Sequence, residues 1–413
     1  MQEQRPERPA GRVSRLSEIR RRRKRRRVRI AVAATLVVAA VLAYMAGLYG
    51  SAMASLGDIV DTVRIALTPG EGFPVRTGIS ELYQLEELSG GFVALGKQDL
   101  VLFSSTGRQL RSIQHGYARP GLAAGNTRFC LYSRGGRELR VESRSQTLYT
   151  DTLLNDILLC DMSNNGSLAV ATVSSRYTAE LTVYSPSFQF RYGWNMTDRE
   201  GTPIALCFSP DNRRLAVGGL RAQDGALESG IYLLNLNSDQ VAVSFMAPGS
   251  LLMHLAWLDG NRLMAVYSDF AAVYDMAGGV QTARYDFGAG QQVLGVSTSG
   301  KNTAVLLSTG GLDEECRLLV LGDDLNPLAD TTLLGGNRVV CTRTAAYILT
   351  NSSVLCYTLA GEEQWQLSTQ PPPLAVLQAK QLLLFTAERA QVLEKPQPAP
   401  EPTERPEQGG AAE

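Results

Sequence analysis

The sequence predicts an all-β fold, a propeller of eight four-stranded blades, preceded by one transmembrane helix. Three observations predict it. Residues 30–50 form a 21-residue stretch without a charged side chain, directly behind a run of arginines. Beyond residue 72, short runs rich in Val, Leu, Ile, Tyr and Phe alternate with Gly, Asn, Asp and Ser, and no long 3.6-residue apolar period appears. These runs recur at about 44 residues, within the roughly 40–45 of four-stranded propeller blades.

The chain has 413 residues, 44% hydrophobic and 19% charged, which is the composition of a folded protein. Its formal net charge of zero averages two opposites. Residues 1–29 hold 13 Lys/Arg against three Glu, whereas residues 30–413 hold 27 basic and 37 acidic side chains. A uniformly basic, nucleic-acid-binding body is thereby excluded, and no nucleic acid is expected as a partner.

Residues 1–29 read as a basic cytoplasmic arm. Its run from Arg20 to Arg29 resists translocation, which sets the N-terminus inside and the C-terminal domain outside the cytoplasmic membrane. The same run suits anionic lipid head groups. As a helix, residues 30–50 span roughly 31 Å, matching a hydrocarbon core of about 30 Å. Tyr44 and Tyr49 fall towards the distal interface, where aromatic rings are favoured. A water-soluble helix needs a polar face, and this stretch has none. The segment reads as an uncleaved signal anchor. The alternative is a signal peptide cut after Ala54, at the small-x-small sequence Ala52-Met53-Ala54. Residues 51–71 then form a juxtamembrane linker, residues 72–394 the propeller, and the Pro- and Glu-rich residues 395–413 a disordered tail.

The clearest repeat runs from Ile204 to Phe245, IALCFSPDNRRLAVGG followed by GIYLLNLNSDQVAVSF. It parses into strands at 204–208, 214–218, 231–235 and 240–245, with a polar loop at 220–229. Ser209-Pro210-Asp211-Asn212 supplies the first turn, because Pro presets one dihedral and Asn tolerates a left-handed one. Similar units start near Leu82, Pro120, Ile157, Leu251, Val293 and Val339. Three more strands follow in residues 374–394, and a strand from residues 72–77 completes them, giving eight blades. Seven is the count if the first unit is misparsed. A single such sheet has two apolar faces, and stacking around an axis buries both.

On the pattern FSPDNRRLAVG at Phe208 to Gly218, echoed from Asn164 to Ala171 and from Leu258 to Val266, the chain resembles the WD40-like β-propellers. The Gly-His and Trp-Asp dipeptides of true WD40 repeats are missing, so the resemblance is to the divergent class. It covers about residues 73–394 and implies the fold, with almost nothing about function. The whole layout, with a Gly-Phe-Pro-Val element from Gly72 to Val75, also resembles an uncharacterised bacterial family of single-pass, membrane-anchored divergent propellers.

Little chemistry is visible along the chain. The six cysteines, Cys130, Cys160, Cys207, Cys316, Cys341 and Cys356, show no C-x-x-C and no metal spacing, and five sit in apolar runs, as buried thiols do. Export makes disulfides permissible. His254 falls on an inner strand and reads as a core residue, and His115 falls in a turn. No G-x-S-x-G, phosphate loop or dinucleotide fingerprint occurs. No cofactor or metal is expected, and the acidic run Asp313-Glu314-Glu315 lacks the alternating donors of a calcium loop. Linkers between blades and the loops between second and third strands emerge on one face. Tyr117, Arg119, Tyr192 and Trp194 fall in two such linkers, 115–120 and 191–203, and form the candidate contact surface. The alternative for Tyr192 and Trp194 is that they plug the gap between blades.

These readings predict a non-catalytic binding or scaffolding module for an envelope protein, peptide or glycan. One alternative is an extracytoplasmic enzyme of hydrolase or lactonase type, with acidic residues converging at the axis. Another is a sensor that acts through a cytoplasmic partner.

Overall fold

The computed structural model describes residues 57–58, 61–79, 81–238, 241–310 and 314–396. The expected anchor at 30–50, the basic arm, the tail beyond 396 and Asp313 lie outside them. Among the described residues no helix is long and apolar enough to cross a membrane.

Eight four-stranded antiparallel sheets follow one another along the chain. Blades 1 to 7 occupy residues 82–114, 120–152, 157–196, 202–248, 252–286, 292–334 and 338–368. The eighth takes three strands from residues 373–392 and its outermost strand, Val75–Arg76, from the other end of the chain. Val75 pairs with Ala390 and Arg76 with Arg389, so the two ends of the chain close the ring in one sheet. The eight-blade count and the closing strand agree with the repeat spacing.

Within a blade the strands run from the axis outwards and are termed A to D. The A strands of neighbouring blades touch one another, whereas D strands alternate between exposed and buried residues. B and C strands are buried almost throughout, as in Gly91–Gly96 and Asp99–Ser104. Their apolar side chains form eight clusters. Each cluster joins two consecutive blades, from the one between blades 1 and 2 around to the one between blades 8 and 1. No blade owns a core, which is why the repeat has to be stacked.

Turn chemistry sets the hairpins. In the A–B turn of blade 4, Asn212 is left-handed (φ 58°) and Gly166 takes the corresponding role in blade 3 (φ 86°). Ser209 Oγ accepts the Arg214 N–H at 3.0 Å and donates to Asp211 Oδ1 at 2.5 Å, closing the Ser-Pro-Asp-Asn turn locally. The loop expected at 220–229 is corrected. Arg214–Gln223 and Ala226–Asn235 continue as a ten-residue hairpin, turning on Asp224 (φ 50°) and Gly225 (φ 81°). Two successive positive φ angles make the two-residue turn that Asp-Gly favours, because its twist matches that of the strands. Likewise residues 190–196 are not a linker but the D strand Phe190–Met196 of blade 3.

The A–B and C–D turns share one face, and the B–C turns and D–A linkers share the other. The chain arrives on the A–B face. Residues 61–67 form a short helix there, beneath blades 1 and 2. Arg128 Nη2 meets Asp58 Oδ2 at 3.1 Å, and Thr127 Oγ1 donates to the same carboxylate at 3.0 Å. Arg144, 2% exposed, donates to the carbonyls of Ser89 (2.6 Å) and Asp58 (2.8 Å) and to Thr62 Oγ1 (2.6 Å). The C strand of blade 8, Arg389–Val392, also ends towards this face. The D–A face is therefore clear of both ends of the described propeller chain.

Candidate binding sites at the two ends of the axial channel

The inner strands enclose a channel. Midway along it, Leu85, Val296, Val340, Ala375 and Val376 line a cavity of about 300 Å³, with Arg338 as its one charged residue. At the A–B end it opens into a mouth of about 710 Å³ reaching Glu86, Glu87 and Ser297.

The D–A end is built by irregular strands. In six of the eight A strands the pairing with strand B skips one residue near the start: Tyr83, Leu158, Ile204, Met253, Leu294 and Leu374. Each skip is a β-bulge, which frees a side chain from the regular alternation. All six residues are large and apolar. Tyr83, Met253 and Leu294 are 42%, 47% and 43% exposed. Leu158, Ile204 and Leu374 are half-buried, the first two against the clusters between blades, so the rim of the D–A opening presents three apolar side chains that the fold does not cover.

The A–B end is acidic. Glu86 of blade 1 and Asp161 of blade 3 occupy the same register position on their A strands, opposite Val93 and Ala169. Blade 2 has Ala123 there, opposite Cys130 and buried in the cluster between blades 2 and 3. Burial, and then the neighbouring charge of Asp161, pushes Glu86 up to about 7. Burial pushes Asp161 up to about 7 as well, against the pull of the Phe208 and Met162 N–H groups. Asp161 Oδ2 accepts the Phe208 N–H of blade 4 at 2.9 Å. In the same layer Ser297 Oγ accepts the Cys341 N–H of blade 7 at 2.9 Å. Both bonds stitch one blade to the next. The Glu86 carboxylate makes no such bond among the described residues.

His254 lies on the A strand of blade 5, its Nε2 3.1 Å from Thr298 Oγ1 of blade 6, and burial lowers it to about 4. In the linker after blade 1, His115 Nδ1 accepts the Tyr117 N–H at 3.2 Å, and Nε2 lies 3.2 Å from the Gly96 carbonyl, where it donates. All six cysteines are free, and burial raises Cys160, Cys207, Cys316, Cys341 and Cys356. No group of three His, Cys, Asp or Glu among the described residues has metal-binding geometry.

The four residues picked out in the sequence fall into two places. Tyr117 is half-buried against the cluster between blades 1 and 2, with its ring 5.6 Å from that of His115. Arg119 beside it is exposed, and its carbonyl accepts the Arg134 N–H at 2.8 Å. Tyr192 is buried between blades 3 and 4, where Trp194 packs 5.6 Å from the Tyr232 ring. That second pair sits in the gap between blades. Reading along the chain missed the axial acids and the bulged rim. A signal for the rim existed: adjacent apolar residues such as Leu158-Leu159 and Leu252-Met253 break the period of two at strand starts.

The fold recurs in solved structures. BamB from Moraxella catarrhalis superposes with a TM-score of 0.53 at 14% identity, over 78% of this chain and all of that one. The computationally designed Ika8 protein gives 0.58 at 13% identity, over 78% of this chain and 98% of that one. Sqt1 from Chaetomium thermophilum, bound to the N-terminus of ribosomal protein L10, gives 0.54 at 10% identity, over 77% of this chain and 98% of that one. At such identities the likeness is one of fold. No curated protein matches the sequence. The profile of one family of unknown function spans the ring from its closing strand to its last blade, residues 75–394, and the chain belongs to that family, DUF5711.

Proposed function

We propose that the chain is a membrane-anchored, non-catalytic binding module of the bacterial cell envelope. Residues 30–50 anchor it in the cytoplasmic membrane with the N-terminus inside, and Arg20 to Arg29 contact anionic lipid. The propeller stands outside and holds an apolar segment of an envelope protein on its D–A face.

The observation that carries this reading is the rim of bulged apolar residues around the D–A opening, of which Tyr83, Met253 and Leu294 are exposed. Large apolar side chains left exposed together mark interaction surfaces. Both ends of the described propeller chain lie on the other face. Sqt1, which shares the fold, holds a protein segment. The charge asymmetry and the uncharged 21-residue stretch support the anchor.

The test places a photo-crosslinking residue at Met253 or Leu294 in intact cells, with Val63 on the opposite face as control. One discrete protein adduct from the rim and none from Val63 is expected. Equal adducts from both faces, or none from the rim, overturn the docking face. A C-terminal alkaline phosphatase fusion should be active. An inactive fusion overturns the topology.

The two raised axial carboxylates favour one second reading, a hydrolase or lactonase with an axial site. Turnover of an ester and lactone panel that is lost in Glu86→Gln would establish it.

A further inference from the structure

We propose that the A–B mouth of the channel receives a single organic cation, an alkylammonium or guanidinium group, gripped by Glu86 with Asp161 behind it. This goes beyond the docking face proposed above and uses the opposite end of the channel.

Glu86 is the anchor of the argument. Its carboxylate lines the mouth, the residue is half-buried, and it has no hydrogen-bond or ion-pair partner among the described residues. A partly desolvated carboxylate without a partner is costly, and an arriving cation with N–H donors lowers that cost. The charged groups lining the opening besides Glu86 are Glu87, Arg343 and Lys380. Arg343 and Lys380 are exposed at its edge, and neither offsets the Glu86 charge.

The geometry selects the class of cation. Asp161 already has one oxygen on the Phe208 N–H, and the layer adds Ala123, Cys207, Ala256, Ser297, Val340 and Leu377. That set supplies too few hard oxygen ligands for calcium or magnesium. A directional N–H donor needs only the two carboxylates. Ala123 is buried in the cluster between blades 2 and 3, so the cation meets Glu86 from the mouth and Asp161 acts from behind it through its charge. The mouth of about 710 Å³ adjoins a second cavity of about 590 Å³ at Glu87 and Ala379. Together they admit a free polyamine or an arginine side chain on a peptide.

Binding carries a proton signature. Near pH 7 the carboxylates are part-protonated, and a cation binds their ionised form, so protons leave as it arrives. The full chain in detergent would be titrated by calorimetry with spermidine, argininamide, a capped arginine tripeptide and calcium chloride, in two buffers of different ionisation enthalpy. At least one organic cation should bind, release protons at pH 7 and bind more tightly at pH 8 than at pH 6. Glu86→Gln should weaken it at least ten-fold. Asp224→Asn on the D–A face should leave it unchanged. A tripeptide ten-fold tighter than argininamide identifies a peptide as the source, and spermidine as the tightest probe identifies a free amine. No binding of any organic cation overturns the proposal. So does unchanged affinity in Glu86→Gln, or calcium binding that organic cations fail to displace. Glu86→Gln carries the decision, because it removes a half-buried charge and keeps its shape, and its melting curve checks the fold.

Discussion

Two kinds of titratable residue line the axis, and they bias stability in opposite directions with pH. Glu86 and Asp161 are raised to about 7. Below their unfolded pKa values they are neutral in both states. As pH rises through 7 the folded state must ionise them in a buried layer, so stability falls. His254 is lowered to about 4, so its contribution is present above pH 6.5 and is lost as pH falls towards 4. Urea unfolding should therefore show lower stability at pH 8 than at pH 6. Glu86→Gln should raise stability at pH 8, by on the order of 2 kcal/mol, and flatten the alkaline limb. Glu87 at the mouth, which burial also raises, stays in the variant and keeps part of that slope. An alkaline limb as steep in Glu86→Gln as in the wild type would show that Glu86 ionises freely in the fold.

At the scale of elements, the arriving helix depends on one buried side chain. Arg144 gives three hydrogen bonds to Ser89, Asp58 and Thr62, while its Nε finds no partner. Arg144→Ala deletes the donors and leaves buried carbonyls unsatisfied, a cost of about 2 kcal/mol. The expected outcome is limited proteolysis within residues 61–67 with the propeller still intact. Protection of that helix in the variant would show that Arg128 and Asp58 suffice. Strands and turns explain what the chain reveals before folding. The repeat of FSPDNRRLAVG and the spacing of its echoes expose eight blades, because each blade must solve the same packing problem. The extended hairpin of blade 4 escapes that reading because its outer part, with Arg221 and Glu228 paired at 2.5 Å, lies beyond the apolar layer and shows no alternation. Its Asp224-Gly225 turn was the available signal. Tyr192 and Trp194 look like loop aromatics in a linear reading, and the structure sets them on a D strand. Glu86 and Asp161 are one carboxylate each on separate blades, and only the stacking of blades 1 to 3 brings them into one layer.

For the whole molecule, closure rests on a strand of two paired residues. Val75–Arg76 completes blade 8, Thr77 N–H donates to the Glu388 carbonyl at 3.2 Å, and Phe73 stacks 6.4 Å from Phe92 of blade 1. Because every apolar cluster is shared by two blades, the intact ring should unfold in one transition. Replacing residues 73–77 with a Gly-Ser segment breaks the ring at one place and exposes the edge of Arg389–Val392. An unpaired edge exchanges and aggregates. Hydrogen exchange should therefore speed up first in the strands that share the cluster between blades 8 and 1, Gly91–Gly96 and Leu382–Thr386. Blades 4 and 5, across the ring, should keep their protection, and the melting temperature should fall by several degrees. A peptide spanning residues 70–79, added in trans, should restore the slow exchange of Leu382–Thr386. Uniform loss of protection around all eight blades would mean that the strand holds the ring's global geometry, not one local seam, and unchanged exchange would mean that the remaining blade contacts close the ring without it.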